Sequence, residues 1–208
     1  MTTNTMTQNQ ENPYENLAIL DNIIIMLILG VSIYTTIIGV FQDQPFWDWA
    51  WARHQNPLSW VVRPFTIPLY AYFAYRRNLL GLLTTIIGIA ASMYWFPIPI
   101  VPNTDIAHFL AQEQTYLTTD WTFIKILWSS LVPITMISLA IAFWKQSVPA
   151  GLIVVNIIAF LKITWSVTED PQSGWILVPF ALVGLLITDL LIIFVARKRG
   201  IEIFPSKS

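Results

Sequence analysis

Phe46-Trp47-Asp48-Trp49-Ala50-Trp51-Ala52-Arg53-His54, continuing as Gln55-Asn56-Pro57-Leu58-Ser59-Trp60-Val61-Val62-Arg63-Pro64, lies between two long apolar segments. The stretch holds four tryptophans, two arginines, a histidine and a carboxylate. Indole rings settle at headgroup level, where their apolar bodies leave water and nearby charges still reach it. Such a mixture marks a membrane–water interface, and the composition around it agrees. The chain has 208 residues, of which 55% are hydrophobic and 11% charged. A soluble domain carries about 25% charged residues. With so little charge a water-soluble fold exposes large apolar patches and aggregates, so lipid is the fitting solvent.

Working outward, a helix needs about 20 apolar residues to cross a bilayer. Six stretches approach that length: Asn22–Phe41, Leu58–Tyr75, Leu79–Phe96, Trp121–Trp144, Pro149–Val167 and Gly174–Ala196. The second is the weakest, because Arg63, Pro64 and Pro68 interrupt it. A re-entrant segment from Pro57 to Tyr75 is its alternative, leaving five spans and an outer N-terminus. Membrane helices do accept prolines where neighbours satisfy the freed carbonyls. Pro97-Ile98-Pro99-Ile100-Val101-Pro102 is a stiff connector that cannot be helical. After it, Ile106, Phe109, Leu110 and Leu117 recur at helical spacing opposite Asp105, His108 and Gln112. That segment is too polar to cross and reads as an interfacial amphipathic helix.

The expected fold is therefore all-α: an integral membrane bundle of six transmembrane helices with a short outer amphipathic helix. Residues 1–15 form a polar N-terminal tail, disordered up to about Asn12 and lacking the cations of a signal peptide; 16–200 form the bundle and 201–208 a C-terminal tail. Placing both termini in the cytoplasm puts Arg76, Arg77, Lys145, Arg197, Lys198, Arg199 and Lys207 inside, and leaves only Arg53 in an outer loop. This obeys the positive-inside rule and points to a bacterial-type cytoplasmic (inner) membrane.

Four ionisable residues fall inside the spans: Arg63, Lys125, Lys162 and Asp189. Each costs about 2.5–3.5 kcal/mol at a helix centre on insertion scales and needs a reason. The three cations lie near the outer ends, where long side chains snorkel to water. Together they read either as a cluster receiving an anionic group or as partners of Asp120, Glu113, Glu169 and Asp170 in structural ion pairs. Asp189 sits in the inner half of the last span and should face the bundle, toward Asn22, Asn156 or a threonine. It reads as a proton or cation site, or as a carboxyl pinning two helices together. On the outer face, Trp47, Trp49 and Trp51 alternate; they share a surface in a strand and fan out in a helix. They form an aromatic belt or a stacking surface for a ligand or partner. Arg53 and His54 anchor their loop at the headgroups.

His54 and His108 are the only histidines, and neither has a second histidine at ligating spacing, so no metal site is expected. No nucleophile–base–acid set appears, no cofactor motif is present, and catalytic residues cannot be named. Net charge is −1, so there is no basic footprint for nucleic acid, and the absence of cysteine removes disulfides and thiolate chemistry.

Trp95-Phe96-Pro97-Ile98-Pro99, followed by Phe109-Leu110-Ala111-Gln112-Glu113 and Tyr116-Leu117, resembles a pattern in small uncharacterised bacterial polytopic membrane proteins. The resemblance covers some twenty residues. It directs interest to the outer loop carrying Glu113 and implies no activity. Three function classes remain. The leading one is an accessory, assembly or scaffold component that binds the bilayer and a membrane-protein partner through its outer face, which leans away from an enzyme. The second is a small transporter or ion-conducting protein using Asp189 and the outer basic residues. The third is an enzyme acting on lipid headgroups with His108, Glu113 or Asp120.

Overall fold

The computed structural model describes residues 13–201 and 203, so the expected disordered lead-in and Lys207 lie outside it. Among the described residues every regular element is helical, with no strand. The elements are α1 (Pro13–Val40), α2 (Phe46–His54), α3 (Leu58–Tyr75), α4 (Leu79–Ala91), α5 (Thr104–Thr118), α6 (Phe123–Trp144), α7 (Val148–Glu169) and α8 (Leu177–Lys198). Short 3₁₀ turns extend α4 over Ser92–Tyr94 and precede α8 over Gly174–Ile176.

Four segments are long and apolar enough to cross a membrane: Asn16–Val40, Phe123–Trp144, Val148–Glu169 and Gly174–Lys198. The two others expected to cross fall short for different reasons. α3 has 18 residues but carries Arg63, Pro64 and Pro68, which dilute its apolar character. The apolar helix Leu79–Tyr94 is simply shorter.

Two ends of the bundle can be told apart by what meets there. At the basic end, the Asp21 carboxylate of α1 accepts hydrogen bonds from Tyr72 Oη (2.6 Å), Arg76 Nη2 (3.1 Å) and Asn78 Nδ2 (3.4 Å). Arg77 Nε donates to the carbonyl of Trp144 at the end of α6 at 3.3 Å, and the Arg199 guanidinium at the end of α8 lies 5.9 Å from the Tyr72 ring. At the aromatic end, Trp60 at the start of α3 packs on Phe109 of α5 and Phe180 of α8, at 5.7 and 6.1 Å. Phe46 and Trp49 of α2 close on Tyr94 beyond α4.

α3 lies at the centre, packed on α4, α6 and α8, and is one continuous helix between these two ends. Its prolines explain its neighbours. Pro68 has no N–H to give to the carbonyl of Pro64, and Thr188 Oγ1 of α8 donates to that carbonyl instead, at 3.0 Å. Close approach there depends on Gly184, where a Cβ would run into the Pro64 ring. Tyr70 Oη adds a bond to the Met136 carbonyl of α6 at 3.1 Å. Small residues let membrane helices approach where lipid offers no hydrophobic drive between them. Gly81 does this against Phe73 across the α3–α4 turn, and Gly151 against Phe143 across the α6–α7 turn.

Candidate functional site

Of the three cations expected to cluster, the fold brings two together. Arg63 of α3 and Lys162 of α7 line one cavity of about 200 Å³, with Thr66, Thr188 and Gly184 on its walls. Arg63 Nε points to Ser92 Oγ at 3.4 Å, a long bond. Lys162 Nζ lies 3.7 Å from Glu113 Oε1 of α5, 4.4 Å from the Trp165 ring and 5.8 Å from the Phe109 ring. The ion pair is not sealed off, with side-chain exposures of 44% for Lys162 and 21% for Glu113, so its own contribution to stability is small, about 0–1 kcal/mol. Two cations facing one carboxylate leave the cavity mouth with a positive excess. The aromatic faces beside Lys162 add cation–π attraction to its ammonium.

Lys125 goes elsewhere. Its Nζ donates to Thr119 O at 2.7 Å and Thr119 Oγ1 at 3.3 Å, with the Tyr116 and Trp121 rings each 4.9 Å away. Tyr116 Oη returns a bond to the Lys125 carbonyl at 3.2 Å. This buried lysine is a clasp between the end of α5 and the start of α6. Asp120, next to the clasp, is exposed and makes no ion pair among the described residues.

The Phe46–His54 segment is a helix, so its tryptophans fan out. Trp47 is 67% exposed, whereas Trp49 is buried against Phe46 and Tyr94 and beneath Arg53, whose guanidinium stands 4.7 Å from the ring. Trp51 is half-buried and its ring lies 6.0 Å from His54. Arg53 and His54 turn inward rather than to the headgroups. Arg53 Nε donates to the Tyr94 carbonyl at 2.9 Å. His54 is 2% exposed, and its Nδ1 lies 2.9 Å from Ser59 Oγ, whose hydroxyl donates to the Asn56 carbonyl at 2.8 Å. Burial, reinforced by the positive charges of Arg63 and Lys162, holds the His54 pKa far below the ordinary histidine range. The ring is a neutral strut with no carboxylate behind it.

His108 also meets a serine and an aspartate, Ser173 Oγ at 2.9 Å and Asp170 Oδ2 at 3.3 Å. Both contacts use Nδ1, whereas a catalytic relay takes the nucleophile on one ring nitrogen and the carboxylate on the other. Asp170 Oδ1 meanwhile accepts from the backbone N–H groups of Gln172 and Ser173, so the trio fastens α5 to the α7–α8 connection. Among the described residues no group of three histidines or carboxylates is placed to hold a metal ion.

Asp189 does not join the cavity. It pairs across α7 and α8 with Asn156, whose Nδ2 donates to Asp189 Oδ2 at 3.1 Å and to the Leu152 carbonyl at 2.9 Å. Asn156 is exposed on the outward side of α7, beside Ile153 and Phe160, which are 62% and 68% exposed. Asp189 Oδ1 is buried with no hydrogen-bond partner. The half-buried carboxyl thus pins α7 to α8 through Asn156, one of the partners the sequence suggested for it, and it is the Asn156 amide that reaches the outward side. Sequence reasoning missed Asp21, because a carboxylate at the start of a span reads as an ordinary boundary residue. It also missed Ser92 and Ser173, which gain their roles only from distant helices.

No protein-family model, no curated protein and no solved structure matches the chain.

Proposed function

We propose that the chain is a six-span protein of a cytoplasmic (inner) membrane, with its basic end and both termini in the cytoplasm. The support is that α3 and α4 run between the same two ends as the longer helices. At 1.5 Å per residue, α3 covers about 27 Å, close to the hydrocarbon thickness of about 30 Å. The absence of cysteine gives a clean background for labelling. In intact cells an impermeant maleimide should modify Thr119→Cys but not Arg77→Cys, which reacts only after the membrane is opened. Labelling of Arg77→Cys from outside returns the count to four.

Within that topology the chain acts as an accessory or assembly component that seats the transmembrane helix of another membrane protein against α7 and α8. The Asn156–Asp189 pair carries this reading. An amide exposed on the outward side of α7 and the half-buried carboxyl of α8 that it holds, both midway along spanning helices, are costly against lipid. A partner helix bearing a hydrogen-bond donor offsets that cost, as polar groups between membrane helices do. At the outer rim Trp47, Trp121 and Trp175 are 67%, 54% and 60% exposed, enough to continue the contact at headgroup level. The second reading, transport of a small anion, draws on the positive excess at the Arg63–Lys162 cavity.

One experiment separates them: native mass spectrometry of the chain extracted from its own membrane in mild detergent. The accessory reading expects a stoichiometric membrane-protein partner that Asp189→Leu releases and Lys162→Gln retains. A lone chain holding a small anion, released by Lys162→Gln and not by Asp189→Leu, transfers the function to the cavity. A bare chain rejects both.

A further inference from the structure

At the basic end, an apolar groove of about 350 Å³ runs between α3 and α8, walled by Phe65, Leu69, Leu191 and Val195. It closes on Tyr75 and Arg199, and the same two residues open a second cleft of about 310 Å³ that adds Arg76, Arg77 and Gln146. One continuous surface thus begins as hydrocarbon and ends as three guanidiniums.

The arginines differ in what already satisfies them. Arg76 is held by Asp21 at 3.1 Å, yet its Nε is buried with no partner. Arg77 gives only its Nε, to the Trp144 carbonyl. Arg199 meets the face of Tyr72, and neither it nor Arg77 pairs with a carboxylate among the described residues. Cations at helix C-termini do complement the helix dipole, and all three stand at such ends. That role asks for charge near the last turn of each helix separately. It does not account for three forks from two elements lining one cleft at the mouth of an apolar groove. Among the described residues the Nη groups of Arg77 and Arg199 make no hydrogen bond, and two such guanidiniums match phosphate oxygens bidentately. Basic pockets between spanning helices on the cytoplasmic side bind anionic lipid headgroups by this means.

We infer that the groove between α3 and α8, together with the Arg76–Arg77–Arg199 cleft, is a binding site for an anionic diacyl phospholipid. One acyl chain lies along Phe65, Leu69 and Leu191, and the phosphate sits at Arg77 and Arg199. Free phosphate uses only the cleft and a neutral detergent only the groove, whereas an anionic lipid uses both. The inference is independent of the partner reading, since Asn156 and Asp189 line neither space.

The test is native mass spectrometry of the purified chain titrated with phosphatidylglycerol and phosphatidylcholine of identical acyl chains. At equal concentrations, phosphatidylglycerol adducts should exceed phosphatidylcholine adducts by at least tenfold. The double variant Arg77→Gln with Arg199→Gln should bring that ratio close to one. Leu191→Trp, at a position 39% exposed where a larger ring does not enter the core, should lower retention of both lipids severalfold. Inorganic phosphate at millimolar concentration should leave the adducts unchanged. Equal retention of the two lipids by the native chain, or an undiminished preference in the double arginine variant, overturns the site. So does displacement of the lipid by phosphate, or native retention of both lipids in Leu191→Trp.

Discussion

The two ends of the bundle are built by different means. At the basic end three helices stop in the same way: α3 at Arg77, α6 at Gln146 and α8 at Gly200, each with a positive φ, of 55°, 60° and 67°. In each, the next amide folds back five residues, Asn78 to Phe73, Ser147 to Ala142 and Ile201 to Ala196, the Schellman arrangement that satisfies the last carbonyls. Asn78 then caps α4 by accepting from the Gly81 amide, so one turn ends a helix and starts the next. The aromatic end repeats nothing. Its elements are held by pairs far apart in sequence, such as Arg53 with Tyr94, Asn56 with Pro97 and His108 with Ser173. The helix ends at the basic end are set locally and then tied together by Asp21 and Arg77, whereas several segments of the aromatic end are joined only by pairs distant in sequence.

The strongest way to break this contrast is Gly81→Leu. A side chain there meets the Phe73 ring and must pry open the α3–α4 turn, at a cost of about 3 kcal/mol. The expected result is loss of most of the monodisperse protein in detergent. Gly30→Leu, where no atom lies within 4 Å, should behave as the native chain. Equal yields for the two variants would mean that the tight turns do not organise the basic end.

A smaller effect sharpens the other side of the contrast. Folded His54 is held neutral, whereas in the unfolded chain it takes up a proton near its ordinary value of 6.5. The stability this residue supports is whole above that pH and declines as pH falls below it. The decline is at most about 1.4 kcal/mol per pH unit. Thermal midpoints measured in detergent from pH 7.5 to 5.0 should fall for the native chain. His54→Gln should start lower and slope less. Parallel curves would show that the strut is not what acid attacks.

The same contrast explains what the sequence disclosed. The helix at 58–75, the amphipathic helix from Thr104 to within one residue of its end, the two basic turns and the polar character of the segments at the aromatic end follow from local pattern, because apolar periodicity, prolines and caps act within a few residues. Angular placement did not follow. Lys125, Lys162 and Asp189 each sit in an apolar run, and depth alone makes the two lysines equivalent. What separates them is the neighbour each helix meets. Lys125, in the first turn of α6, meets the end of α5, whereas Lys162 meets Arg63 across the packed bundle. Asp189 meets Asn156 of α7, while the preceding Thr188 faces α3 and bonds the Pro64 carbonyl. The tryptophans were ambiguous for a related reason, since alternate spacing means one thing in a strand and another in α2.

The hydroxyl of Thr188 and the Pro64 carbonyl it satisfies are 124 residues apart. At a synthesis rate of about 5–20 residues per second, α3 waits roughly 6–25 s for that donor. During this interval the helix carries an arginine, two prolines and an unmatched carbonyl with no α8 beside it. The most central helix is therefore completed only when α8 has been made, and a chain cut before Thr188 leaves that carbonyl without its partner.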